Sequence, residues 1–177
     1  MSHTPRSSPP LRFPDTSRGP RISDAWVITA SNRASAGVYD DRSGKLLEKA
    51  LQDWGFTVTR KVVPDGPPVG DALREAVRAG ARVVLTSGGT GISPTDRTPE
   101  ETRAVLDHEV PGIPEALRAE GLRGGIPTAC LSRGIAGVAG RTLIVNLPGS
   151  TGGVKDALGL LEAVLPHAVS QLDGGDH

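Results

Sequence analysis

The segment Val83–Thr102, VVLTSGGTGISPTDRTPEET, concentrates residues that could do chemistry. An apolar run ends at Thr86, and Gly88, Gly89 and Gly91 follow within five residues. Glycines without Cβ can take positive φ and let a ligand reach the main chain. Successive N–H groups in such a turn form an anion nest, which suits phosphate, and the hydroxyls of Ser87 and Thr90 add donors. Asp96 lies just beyond the nest, and Asp65 closes the run TRKVVPD. A carboxylate beside phosphate is repulsive unless a cation lies between them. Two carboxylates facing a polyphosphate suit Mg²⁺, which binds one or two carboxylates together with phosphate oxygens. Glycines alone make ordinary turns too. Asp96 could equally be a turn or capping residue ahead of Thr98, and Asp65 could belong to an Asp–Gly turn.

Other chemistries have no motif. GVYDDRSGKL places six residues between its glycines and Leu46 where a P-loop needs Ser or Thr. No GxGxxG follows a strand signal, and Ser150 in PGSTG has Pro148 where a nucleophile elbow needs glycine. His3, His108, His167 and His177 are scattered, without the spacing of zinc ligands. Formal net charge is zero, so no basic footprint points to nucleic acid or an anionic membrane. The one cysteine, Cys130, cannot form an internal disulfide and is expected as a small buried hydrophobe in a reducing, cytoplasmic setting. No apolar run approaches a membrane span.

The elements that must position these residues follow from periodicity. Residues 1–22, rich in Pro, Ser and Arg, read as a flexible tail, and 23–177 as one domain. AWVITA, FTVTRKVVP, RVVLTSG and TLIVNLPGS read as strands. Helical spacing marks DRSGKLLEKALQDWG, with Asp40 or Asp41 as cap, and PVGDALREAVRAG. TPEETRAVLDHEV is expected to open with Thr98 as cap and Pro99 in the first turn. PGIPEALRAEG reads as a short helix, TACLSRGIAGVAG as a strand pair or irregular crossing, and the last helix contains Pro166 as a kink or break. Strands alternating with helices predict a three-layer α/β sandwich with a mainly parallel sheet. Ligands of such sheets bind beyond the carboxyl ends of the strands. The loops SNRASAGVYDD, the glycine segment, NLPGSTGG and Asp65 are therefore expected to line one cleft.

LTSGGTGISPTDRTPEET, together with LSRGIAGVAGRTLIVNLPGS downstream, resembles the molybdenum cofactor biosynthesis family of MogA and MoaB, the molybdopterin adenylyltransferases. The likeness runs from about Ala25 to near the C-terminus, and SNRASAGVYDD looks closer to the MogA-type branch. The resemblance implies adenylylation of molybdopterin by Mg-ATP, releasing pyrophosphate. The product passes to a molybdenum insertase by transient contact, and the assembly is a homotrimer, or a hexamer in some MoaB-type members. It implies catalytic, Mg²⁺-binding roles for Asp65 and Asp96. It implies substrate binding by Ser87, Gly88, Gly89, Thr90 and Gly91, by Ser132, by Asn146, Pro148 and Gly149, and by Ser31, Arg33 and Ser35. The ISPT between Gly91 and Asp96 lacks the basic residues some members carry there. The alternative within the family is a molybdopterin-binding scaffold without catalysis.

Overall fold

The structure, a computed structural model, describes residues 25–175. The tail expected over residues 1–22 lies outside them. In chain order the elements are β1 (Ala25–Ala30), α1 (Asn32–Ser35), α2 (Arg42–Asp53), β2 (Val58–Val63), α3 (Pro67–Arg78) and β3 (Val83–Ser87). There follow α4 (Thr98–Arg103), β4 (His108–Glu109), α5 (Gly112–Arg123), a 3₁₀ turn (Pro127–Leu131), β5 (Ala136–Ala139), β6 (Thr142–Leu147) and α6 (Thr151–Leu172).

One six-stranded sheet runs in the order β2-β1-β3-β6-β5-β4. The pairs β1–β2, β1–β3 and β3–β6 are parallel, whereas β5 pairs antiparallel with β6 and with β4. The expected three-layer, mainly parallel sandwich is what forms. Strands β1, β3 and β6 are buried along their whole length, as parallel strands covered on both faces must be. Alternation sorts their side chains. Ala25, Val27, Val83 and Leu85 face Leu47, Leu51, Leu161 and Leu165 of α2 and α6. Trp26, Ile28, Ala30 and Val84 face Val69, Ala72, Leu73 and Ala76 of α3.

Register decides where the loops go. Ala30 pairs with Val63, Thr29 with Ser87, and Ser87 with Leu147, so the last residues of β1, β2, β3 and β6 stand side by side. The chain leaves β1 toward β2 on one side and returns to β3 on the other. The topological switch point, beyond which ligands of such sheets bind, therefore lies between β1 and β3.

Several local expectations are revised. Helix α4 ends at Arg103 rather than running on, and His108–Glu109 becomes an edge strand paired with β5. Thr98 is not a side-chain cap: Arg97 occupies that place without a capping hydrogen bond, and Thr98 Oγ1 turns inward with no partner. TACLSRGIAGVAG is a 3₁₀ turn leading into β5. Pro166 leaves α6 continuous over 22 residues, held by buried Leu161, Leu165 and Val169 on either side. Cys130 is exposed on the 3₁₀ turn rather than buried, because that turn contributes no buried residue.

Candidate functional site

The glycine turn leaves β3 with Gly88 at φ 91° and Gly89 at φ 67°, the left-handed region that favours glycine. Gly88 packs so tightly against the Ala30 carbonyl that a Cβ there would collide with it. Its N–H donates to Leu147 O at 3.1 Å, so Gly88 completes the sheet and is not part of the nest. The N–H groups of Gly89, Thr90 and Gly91 donate to no protein acceptor among the described residues, and these three form the anion-seeking turn. Gly91 does not take positive φ. Its missing side chain matters because a Cβ would stand 2.8 Å from Asp96 Oδ2.

The carboxylates converge here from two loops. Asp65 follows β2 and is held by its own N–H, which donates to Asn32 Oδ1 at 3.0 Å. Its Oδ1 is buried without a hydrogen-bond partner and lies against Gly89, as does the unpartnered Oγ1 of Thr98. Burial raises the Asp65 pKa above the ordinary carboxylate value, and the negative charge of Asp96 adds to the rise. The Asn32 N–H opposes it. Asp96 Oδ2 accepts from Ser93 N at 3.0 Å, which aims the carboxylate back across its own turn.

The sites around this centre are tied together by hydroxyls. Ser87 Oγ donates to Pro148 O at 3.1 Å, and Ser43 Oγ donates to Gly149 O at 2.8 Å. A Cβ on Gly149 would approach Gly88 Cα at 3.3 Å, so the NLPG turn lies directly on the glycine turn. Buried Asp41 caps α2 through Gly44 N and accepts from Thr29 Oγ1 at 3.0 Å and Arg60 Nη1 at 2.8 Å. This anchors the start of α2 to the end of β1 and the middle of β2.

Beside the acidic centre lies a cleft of about 220 Å³ between α5, the 3₁₀ turn and the start of α6. Leu117, Ile126, Leu131 and Ala157 make its wall largely apolar, and Arg118, Ser132 and Asp156 supply polar groups. Thr90, Gly91, Asn146 and Pro148 line it as well, so cleft and glycine turn share an edge.

The expected site residues thus fall into three groups. Ser87, Gly88, Gly89, Thr90, Gly91, Asp65, Asp96, Pro148 and Gly149 meet at the strand ends. Ser132 and Asn146 belong to the cleft wall. Asn146 is 3% exposed and its amide is used internally: Nδ2 donates to Thr86 and Thr102 Oγ1, each at 3.0 Å, while Oδ1 accepts from Ile135 N. That geometry positions strands rather than offering a free group to a ligand. Ser31, Arg33 and Ser35 sit on or next to α1. Ser31 caps the helix through Ala34 N and Ser35 donates to Asn32 O, so both hydroxyls are engaged locally, and Arg33 is exposed.

Sequence reasoning missed Asn32, Arg118 and Arg133. Asn32 and Arg133 lie inside quoted motifs, but the atoms they reach are remote in sequence. Among the described residues no three His, Cys, Asp or Glu side chains gather as a metal site. Two carboxylates, one with an orphaned buried oxygen, do fit Mg²⁺ shared with a phosphate. No helix among the described residues is long and apolar enough to cross a membrane.

Comparison with known proteins gives the family. The family described as "Probable molybdopterin binding domain" matches residues 26–167. The chain is 39% identical over 155 residues to the molybdenum cofactor biosynthesis bifunctional protein of Synechococcus elongatus, covering 86% of this chain and 48% of that protein. It therefore spans about half the length of that relative. It is 40% identical over 137 residues to the molybdopterin adenylyltransferase of Haemophilus influenzae, covering 75% of this chain and 69% of the relative. The solved molybdopterin biosynthesis Mog protein from Mycobacterium ulcerans superposes with a TM-score of 0.81 at 54% identity, covering 84% of this chain and 98% of that one. With the match extending from β1 well into α6, the chain belongs to the molybdopterin-binding domain family of molybdenum cofactor biosynthesis.

Proposed function

We propose that the chain is a molybdopterin adenylyltransferase. The observation that carries this reading is the meeting of three unpaired N–H groups, from Gly89 to Gly91, with the carboxylates of Asp65 and Asp96 at the edge of an apolar cleft. In the reaction a terminal phosphate oxygen of molybdopterin attacks the α-phosphorus of ATP. A new P–O bond forms, the bond to the β-phosphate oxygen breaks, and pyrophosphate leaves.

Such transfers depend on positioning and charge neutralisation more than on a protein nucleophile. The glycine turn holds phosphate oxygens by its N–H groups. The cleft takes the flat pterin against Leu117 and Leu131, with Arg118 and Ser132 reading its polar edge. Asp65 and Asp96 would hold Mg²⁺, for which the orphaned Asp65 Oδ1 is suited. A metal ion held by these two carboxylates would supply charge neutralisation to the phosphates. Asn146 and Ser87 keep the strand ends in register beneath the reactants.

The same reading makes the protein a homotrimer that delivers its product to a separate insertase. Exposed Ile92 and Leu122 are consistent with association. It also places the protein in the cytoplasm, where the exposed thiol of Cys130 stays reduced. The test is turnover of purified protein with molybdopterin and Mg-ATP, following pyrophosphate release. Pyrophosphate that depends on pterin supports the reading. Tight pterin binding with no pyrophosphate would make the protein a scaffold, and ATP consumption without pterin would make it a hydrolase.

A further inference from the structure

The segment that carries Asp96 has little to hold it. Ile92, Ser93, Pro94 and Thr95 are exposed, and Ile92 is 69% accessible. Its internal bonds, Ser93 N to Asp96 Oδ2 and Asp96 N to Ser93 O, both at 3.0 Å, shape the turn without attaching it to the body of the protein.

Arg133 supplies the attachment. Its Nε donates to Gly91 O at 2.8 Å and its Nη2 to Asp96 O at 2.9 Å, the two ends of the turn. Its Nη1 pairs with Glu100 in the first turn of α4. Its main-chain N–H donates to Thr90 O at 2.7 Å. Each nitrogen of the guanidinium donates to a protein acceptor, so three of its five N–H groups serve as a brace. The brace has its own support: Arg118 Nη1 donates to Ser132 O at 3.3 Å and Gly134 O at 3.2 Å, the carbonyls on either side of Arg133. Arg118 also lines the cleft. A rigid planar fork is needed to span two carbonyls and a carboxylate at once, and a lysine ammonium cannot do so.

We infer that Arg133 is a positioning residue that fixes Asp96 in the site by stapling both ends of the Gly91–Asp96 turn. The inference rests on the proposed role of Asp96 in the transferase site. It gives the arginine of the LSR stretch a function separate from substrate contact.

The experiment compares wild type with Arg133→Lys and Arg133→Ala. Amide hydrogen exchange is followed within residues 91–97, alongside binding of Mn²⁺ in the presence of a non-hydrolysable ATP analogue. The Mg²⁺ dependence of turnover and the affinity for molybdopterin are measured on the same proteins. Both variants should exchange the Ser93 and Asp96 amides roughly tenfold faster or more, with β1, β3 and β6 unchanged. Both should bind Mn²⁺ more weakly and need more Mg²⁺ for half-maximal turnover, by a larger factor than any loss of molybdopterin affinity. Added guanidinium ion should partly restore slow exchange and metal affinity to Arg133→Ala but not to Arg133→Lys. Arg133→Lys matching wild type in exchange and in metal binding overturns the inference, even if Arg133→Ala melts early. Faster exchange with unaltered metal binding overturns it as well. A wild-type protein that binds Mn²⁺ yet never releases pyrophosphate would instead sink the transferase reading, and exchange and metal binding would still decide Arg133.

Discussion

A Cβ on Gly89 would stand 2.9 Å from Oδ1 of Asp65. The same Cβ would collide with Thr98 Oγ1. Gly89 is therefore constrained twice, by its φ of 67° and by the two unpartnered oxygens beneath it.

Gly89→Val is expected to weaken molybdopterin binding while the fold survives. A β-branched residue resists positive φ, at a cost of about 1–3 kcal/mol, and its side chain would displace the acidic centre. Isothermal titration with molybdopterin, together with a melting curve, checks this. Unchanged affinity in a folded valine variant would remove the nest from the site.

Asp65→Asn should make the protein more stable at neutral pH and inactive. The folded-state pKa of Asp65 is raised, so in the window from about 3.9 up to the folded value the native state binds more protons than the unfolded state. Stability from this group therefore falls as pH rises through that window, and the penalty persists above it. Removing the charge should raise Tm near pH 7 and leave it almost unchanged near pH 3, where both states are protonated. An equal Tm difference at both pH values would show that Asp65 is not under strain.

Asp96→Asn should leave molybdopterin affinity equal or slightly tighter and reduce adenylylation by orders of magnitude. The reason is electrostatic: like unit charges about 4 Å apart repel by roughly 1 kcal/mol in water and about 4 kcal/mol at an effective dielectric of 20. A bare carboxylate therefore opposes phosphate unless a cation intervenes. A Mg²⁺ titration of turnover beside pterin titration separates the two effects. Full activity in the variant would take Asp96 out of the reaction, and lost pterin affinity with normal chemistry would reassign it to binding.

Asn146→Leu should destabilise the fold rather than abolish ligand contact alone. Leucine leaves the Ile135 N–H without its acceptor and Thr86 and Thr102 without their donor, and each buried unsatisfied group costs about 1–3 kcal/mol. Chemical denaturation measures the loss. A stability close to wild type with lost pterin binding would restore Asn146 to the substrate contacts.

Much of this architecture was legible in the sequence, for physical reasons. Runs such as AWVITA and VVLTS are short, apolar and bounded by turn signals, as strands buried on both faces are, and the helical spacing of Leu47, Leu51, Leu73 and Ala76 marks the faces that pack on them. Glycines at Gly88 and Gly89, and Asp65 and Asp96 at strand exits, nominate this edge as a candidate site, because backbone freedom and carboxylate chemistry are properties of residue type. What tertiary structure alone decided was which atoms remain free. Gly88 N–H is consumed by Leu147 and the Asn146 amide by Thr86, Thr102 and Ile135, whereas Asp65 Oδ1 and the Gly89–Gly91 amides are left unpaired. Thr98, read as a cap, turns inward beside Gly89, and Arg133 reaches back across 42 residues to Gly91. Hydrogen bonds between residues so distant depend on strand register and loop closure. No local pattern encodes them, so residue type could nominate the site but only the assembled sheet could assign the work within it.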